Sequence, residues 1–175
     1  MGTELPSSSF ASSSNTQWEY DVFLSFRGED TRKSFTDHLY AALDREGIST
    51  FRDDEELDRG QAISSNLLKA IQVSRIALVV ISRNYACSIW CLDELTTIVE
   101  CMEDRGQRVF PIFYDVDPSE VRKQTIWFGQ AFVVHEQRLK DDLEKDKVQK
   151  WRAALTQVAN LSGFHLQDRY VAFTN

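Results

Sequence analysis

Trp90 and Glu94 stand one helical turn apart in the stretch SIWCLDEL, residues 88–95. On a helix that spacing puts an indole and a carboxylate on one side. Leu92, Leu95, Val99 and Met102 form an apolar stripe on the other side, while Thr97 and Cys101 fall with the polar pair. The indole can line a pocket or stack on a ring, and a carboxylate held beside a reacting centre can act on it electrostatically. Spacing alone favours a plainer meaning, a tryptophan packed under a loop and a solvated glutamate, because most helix carboxylates are surface.

Other chemistries are poorly served. Cys87 and Cys91 are one turn apart, but their only histidine companions are the scattered His38, His135 and His165. Without a paired ligand motif, small buried thiols are a better reading than zinc. Asp53, Asp54, Asp115 and Asp117 could suggest a hard-cation site, yet they lie on acidic loops that solvent alone explains. Neither GxGxxG nor GxxxxGK[ST] occurs, so the dinucleotide and P-loop grips are missing. A phospho-receiver site would want acids after the first strand and an aspartate after the third; Phe26-Arg27 and Ser82 stand there instead.

The elements that must position Trp90 and Glu94 follow from periodicity. DVFLSF is a short apolar strand. SFTDHLYAALDREG carries Phe35, Leu39, Ala42 and Leu43 at helical spacing and ends on Gly47 as a cap. ISTF is a second strand, and AISSNLLKAIQVS a helix with Ile63, Leu67, Leu68 and Ile71 on one face. RIALVVIS reads as a central strand buried on both faces. SIWCLDELTTIVECMEDRG is the third helix, and RVFPIFYDV a strand weakened by Pro111. TIWFGQAFVVHEQRL and KVQKWRAALTQVANLSG are helical by period. The latter buries Val148, Trp151, Leu155 and Val158 and is capped by Gly163; GFHL is an edge strand.

Strands and helices alternating through short connections make an α/β fold with a parallel sheet covered on both faces. Ligands of such sheets sit beyond the carboxyl ends of the strands. Those ends carry Phe26-Arg27-Gly28, Arg52-Asp53, Ser82-Arg83-Asn84 and Asp115. The rim therefore gathers arginines, small turn residues and the polar side of the third helix.

The chain has 175 residues, enough for one domain with a real core. Residues 1–17 read as a disordered Ser-rich leader, 18–166 as the domain and 167–175 as a tail too short for a full closing helix. Pro6 occupies the position where a myristoylation signal wants Ser or Thr. A net charge of −7 argues against nucleic-acid backbones and anionic membranes as partners. The odd cysteine count, with no secretory or membrane-spanning run, points to a reducing intracellular setting.

Three long motifs, YDVFLSFRGEDTRKSFTDHLYAALDREGISTFRDD, LVVISRNYACSIWCLDEL and VFPIFYDVDPSEVRKQ, occur in order. In them the chain resembles a plant Toll/interleukin receptor (TIR) domain, as found at the N-terminus of nucleotide-binding, leucine-rich-repeat disease-resistance receptors. The resemblance covers roughly Trp18 to Leu166. It implies a flavodoxin-like three-layer fold with five parallel strands in the order 2-1-3-4-5 and, here, a truncated final helix. It also implies an enzyme that self-associates and cleaves the nicotinamide–ribose bond of NAD+ or NADP+ as substrate, with no cofactor, producing nucleotide signals for defence and cell death. Glu94 corresponds to the family's catalytic glutamate.

The residues suit that role. Nicotinamide carries positive charge in the substrate and leaves neutral, so the site need only stabilise charge developing on the ribose, and one carboxylate can do that. Arg27, Arg32 and Arg59 suit diphosphate contacts, with surface solubility as the plainer alternative. Phe26, Gly28, Ser82 and Trp90 would form walls, Gly28 permitting close approach. The loop around Arg59 corresponds to the family's gating loop. For self-association the resemblance points to Asp37 and His38 on the first helix and to Gly163. Family members often carry serine where Asp37 stands, and like-charge crowding there would weaken a symmetric contact. The expected partner is a second copy or another TIR domain, in the cytoplasm or nucleus. A non-enzymatic TIR–TIR interaction module is the competing reading, and nucleic-acid processing at the same site a third.

Overall fold

A computed structural model describes residues 17–53 and 63–167. The expectations for the leader, for Asp54 and Arg59 and for the truncated final helix lie outside the described residues.

The apolar run after Tyr20 becomes strand β1 (Tyr20–Phe26). A short helical turn α1 (Gly28–Thr31) follows, then a wide-wound segment, 32–36, and helix α2 (Asp37–Arg45). The sequence pattern suggests one continuous helix from Ser34. The structure breaks it there, with Ser34 at φ −136° and ψ −108°, and the buried hydroxyls of Thr31 and Thr36 meet across the kink at 2.7 Å. Gly47, at φ 72°, ends α2 in the left-handed conformation expected of it. Next come β2 (Thr50–Arg52), α3 (Ser65–Gln72) and β3 (Ser74–Ile81). A 3-10 turn (Tyr85–Cys87) leads into α4 (Ile89–Arg105) and β4 (Arg108–Tyr114). Helices α5 (Pro118–Lys123), α6 (Trp127–Gln137) and α7 (Asp142–Ala159) precede the edge strand β5 (Phe164–Leu166). Asp117 and Pro118 start α5, a helix the apolar pattern does not announce.

The five strands are parallel, in the order β2-β1-β3-β4-β5, with Phe26 level with Val80 and Val80 level with Ile112. Alternation along β1 sends Leu24 and Phe26 to the face covered by α2, where Val80 and Ile112 join them. Phe23 goes to the other face, where α3, α4, α6 and α7 build the larger core.

Two expectations are corrected here. Gly163 does not cap α7, which ends at Asn160 in right-handed geometry. It is a close-approach glycine: a Cβ there would lie 2.2 Å from the Pro111 carbonyl oxygen. That contact also accounts for Pro111 inside β4. Its carbonyl faces the β5 side, so its missing N–H falls on that side too, where pairing begins only at Ile112 and Phe164. The second correction concerns α4. Glu94 and Cys101 do not lie on an outer face; both are buried, as are Cys91, Leu92, Leu95, Ile98 and Val99. Helices α3 and α7 pack along α4 while the sheet lies beneath it, so little of its first three turns remains for solvent.

Candidate functional site

The site begins where β1 ends. Ser25 is the buried polar residue of β1, in the apolar part of the strand, and it points into the α4 face with no exposed surface. The Ser88 hydroxyl caps α4 by accepting the Cys91 N–H at 3.2 Å, which fixes the helix start and so the height of Glu94 above the sheet. The Ser25 hydroxyl donates to Glu94 Oε2 at 2.7 Å. The Tyr85 hydroxyl lies 2.8 Å from Ser25 Oγ and 3.2 Å from the Cys91 carbonyl oxygen. Tyr85 is fully buried and Glu94 is 3% exposed.

Burial pushes the Glu94 carboxyl up to about 8; the Asp53 and Asp93 carboxylates add to the rise, while donors from Ser25 and Trp90 oppose it. At neutral pH the carboxyl is therefore mostly protonated. Burial likewise raises the Tyr85 hydroxyl well above its ordinary value and pushes the Cys91 thiol up, so neither ionises near neutral pH.

A second group covers this one. The half-buried Trp90 indole donates to Asp53 Oδ2 at 3.2 Å. Arg32 donates to the Asp53 carbonyl at 3.1 Å, and its guanidinium lies 5.0 Å from the centre of the Phe26 ring. Gly28 makes room for that side chain: a Cβ would come within 2.9 Å of a guanidinium nitrogen. The close approach at Gly28 is thus already taken by Arg32.

A third group lies along the rim. Arg27 bonds Asp30 and Glu29, each at 2.7 Å. Asp30 also accepts the Ser82 hydroxyl and, at 3.2 Å, the Asn84 N–H, joining the β1 and β3 loops. The structure therefore brings Phe26, Arg27, Gly28, Arg32, Ser82, Trp90 and Glu94 to one end of the sheet. Arg59 lies outside the described residues.

Sequence reasoning missed Ser25, Tyr85 and Asp30. A serine at an inward position of an apolar strand was a readable signal for the first. The contacts by which Tyr85 meets Ser25 and Asp30 meets Ser82 and Asn84 are distant in sequence and leave no local mark.

The residues named for self-association are elsewhere. His38 is exposed on α2. Asp37 is bonded to Arg52 at 2.5 Å, which offsets its charge locally. Gly163 sits at the β4–β5 edge. A shallow surface hollow of about 550 Å³ lined by Ile126, Gly129, Gln130, Val133 and Val134 shares no residue with any of these groups. Among the described residues no cluster of His, Cys, Asp or Glu could hold a metal ion, and no helix is long and apolar enough to cross a membrane.

The family model described as "TIR domain" matches residues 19–172. The chain is 62% identical over 152 residues to Disease resistance protein RPV1 of Vitis rotundifolia, covering 86% of this chain and 10% of that protein. It is 56% identical over 153 residues to TMV resistance protein N of Nicotiana glutinosa, covering 87% of this chain and 13% of that protein. Among solved structures it is similar to the TIR domains of the activated Roq1 resistosome, which directly recognises the pathogen effector XopQ. There the identity is 58% and the TM-score 0.76, over 86% of this chain and 90% of that one. The chain spans only 10–13% of the length of these two curated relatives.

Proposed function

The chain belongs to the TIR domain family, and on that premise we propose that it is a plant immune-signalling enzyme, active in the cytoplasm or nucleus. It self-associates and cleaves the nicotinamide–ribose bond of NAD+ or NADP+. The observation that carries the reading is Glu94, a dry carboxyl at the carboxyl end of the sheet beside Trp90. Such a group is costly to the fold and is of the kind found at working sites.

In the reaction the C–N bond breaks and its electron pair leaves with nicotinamide, which departs neutral. Positive charge develops on the ribose, and the Glu94 carboxylate stabilises it and accepts hydrogen bonds from the ribose hydroxyls. Water or a hydroxyl of the substrate then captures the ribosyl centre. Two changes must precede this: the proton has to leave Glu94, and the 3% exposure has to increase so that a ribose can reach it. Self-association is the proposed source of the second change. Arg27 and Arg32 would bind the diphosphate by exchanging their present contacts for phosphate oxygens.

The burial of Glu94 is also what favours the competing reading, a TIR–TIR interaction module without turnover. Nicotinamide release, measured over a wide protein range with and without a crowding agent, separates the two. The enzyme reading expects release to rise faster than linearly with protein and to vanish in Glu94→Ala. Release persisting in that variant sinks the assignment of Glu94. No release from folded, assembled protein favours the interaction module.

A further inference from the structure

We propose that Ser25 and Tyr85 are positioning residues for Glu94, a chain of two buried hydroxyls that holds the carboxyl in place and reverses direction when the carboxyl gains or loses its proton. The consequence for catalysis rests on the proposed role of Glu94; the hydroxyl chain itself does not.

Four groups lie in sequence: the Glu94 carboxyl, Ser25 Oγ at 2.7 Å, the Tyr85 hydroxyl at 2.8 Å and the Cys91 carbonyl at 3.2 Å. Each hydroxyl has one proton to give and can accept in return. With Glu94 ionised, Tyr85 donates to Ser25 and Ser25 donates to the carboxylate. With Glu94 protonated, the carboxyl donates to Ser25, Ser25 to Tyr85 and Tyr85 to the Cys91 carbonyl. Both arrangements use the same heavy-atom positions, and neither leaves a buried hydroxyl proton without an acceptor.

The surroundings make this reversal valuable. Ser25 and Tyr85 have no exposed surface, so no solvent would rescue an orphaned donor. The other ionisable groups facing Glu94 cannot help it change state. Cys91 stays a thiol, and the Asp53 and Asp93 carboxylates oppose ionisation. Asp93 is itself occupied by Trp151 at 2.9 Å and Lys147 at 3.2 Å. Ser25 is thus the neutral donor that can follow the charge without a change of packing. A carboxyl that is protonated at rest and must be ionised to act needs such a partner.

The test is an infrared difference titration of the whole chain, which reads the carboxyl and carboxylate bands without any turnover. Glu94→Gln identifies the Glu94 bands. Ser25→Ala removes the donor that follows the charge, so the Glu94 midpoint should move up by about one pH unit. Ser25→Thr, which keeps the hydroxyl, should bring it back towards wild type. Tyr85 accepts the Ser25 proton only when Glu94 is protonated, so Tyr85→Phe should move the midpoint down, opposite to Ser25→Ala, while lowering the melting temperature. A midpoint unmoved in Ser25→Ala, or raised by Tyr85→Phe, would overturn the proposal. A shifted midpoint in a protein that releases no nicotinamide would uphold the hydroxyl chain and count against the enzyme reading instead.

Discussion

Two dry polar side chains sit at opposite ends of the same sheet. Gln107, 2% exposed, lies at the amino end of β4. Its Nε2 donates to the Ile71 and Ser74 carbonyls, both at 2.8 Å, and so closes the gap between the end of α3 and the start of β3. Glu94, 3% exposed, lies at the carboxyl end and is held by the hydroxyl of Ser25. Shape and burial are nearly the same; the difference is a titratable proton. A buried amide costs the same at every pH, and its bonds go to backbone that needs joining. A buried carboxyl costs more as pH rises, because water would ionise it and the site resists. One end of the sheet therefore uses its polar core residue for assembly, while the other keeps a group the fold would be more stable without.

The comparison can be broken by exchanging the two roles. Gln107→Ala removes two buried hydrogen bonds and leaves a cavity, and should cost about 2–4 kcal/mol by denaturant unfolding. Nicotinamide release per folded molecule should be unchanged; a selective loss of release would show that the amide end is not purely structural.

Glu94→Gln makes the two ends alike. The unfolded carboxyl ionises near its ordinary 4.5 and the folded one near 8, so the folded state binds the extra proton between those values. Stability supplied by that proton is complete below 4.5 and is lost as pH rises towards 8. The variant should therefore gain little at pH 4 and a few kcal/mol at most by pH 8. Melting curves across that window check it. A gain independent of pH would mean the carboxyl is not raised.

Asp30→Ala tests whether the rim needs its own carboxylate, and should lower stability by about 1–2 kcal/mol by releasing Arg27, Ser82 and Asn84 together. Lys147→Ala, at the exposed bridge to Asp93, should cost less than about 1 kcal/mol and leave the Glu94 titration nearly unmoved.

The fold was largely legible in the sequence because strand and helix periods differ and the branched run RIALVVI admits few readings. Helix faces were less legible. The stripe through Leu92 and Leu95 identified one buried side of α4. Periodicity could not reveal that α7, arriving from 142–159, would pack along the helix at Asp93, nor that Glu94 would turn onto Ser25 of β1. Gly163 shows a similar limit: a glycine after a helix looks like a cap unless the strand pressing on it is known. The kink at Ser34 had no local cause in the residue types. Of the candidate site, Glu94, Trp90 and the β1 loop were found from motif and rim position. Ser25 and Tyr85 join Glu94 across 69 and 60 residues of chain (Ser25–Glu94 and Ser25–Tyr85), a relation that only the folded sheet supplies.

The most direct measurement is the pH dependence of kcat/KM for nicotinamide release by the assembled protein, with Glu94→Gln alongside. The account predicts release that falls as Glu94 is protonated, at a pH below about 8 because opening the site relieves the burial that raises the carboxyl, and no release from the variant at any pH. Release that survives in Glu94→Gln would contradict a working carboxylate at Glu94.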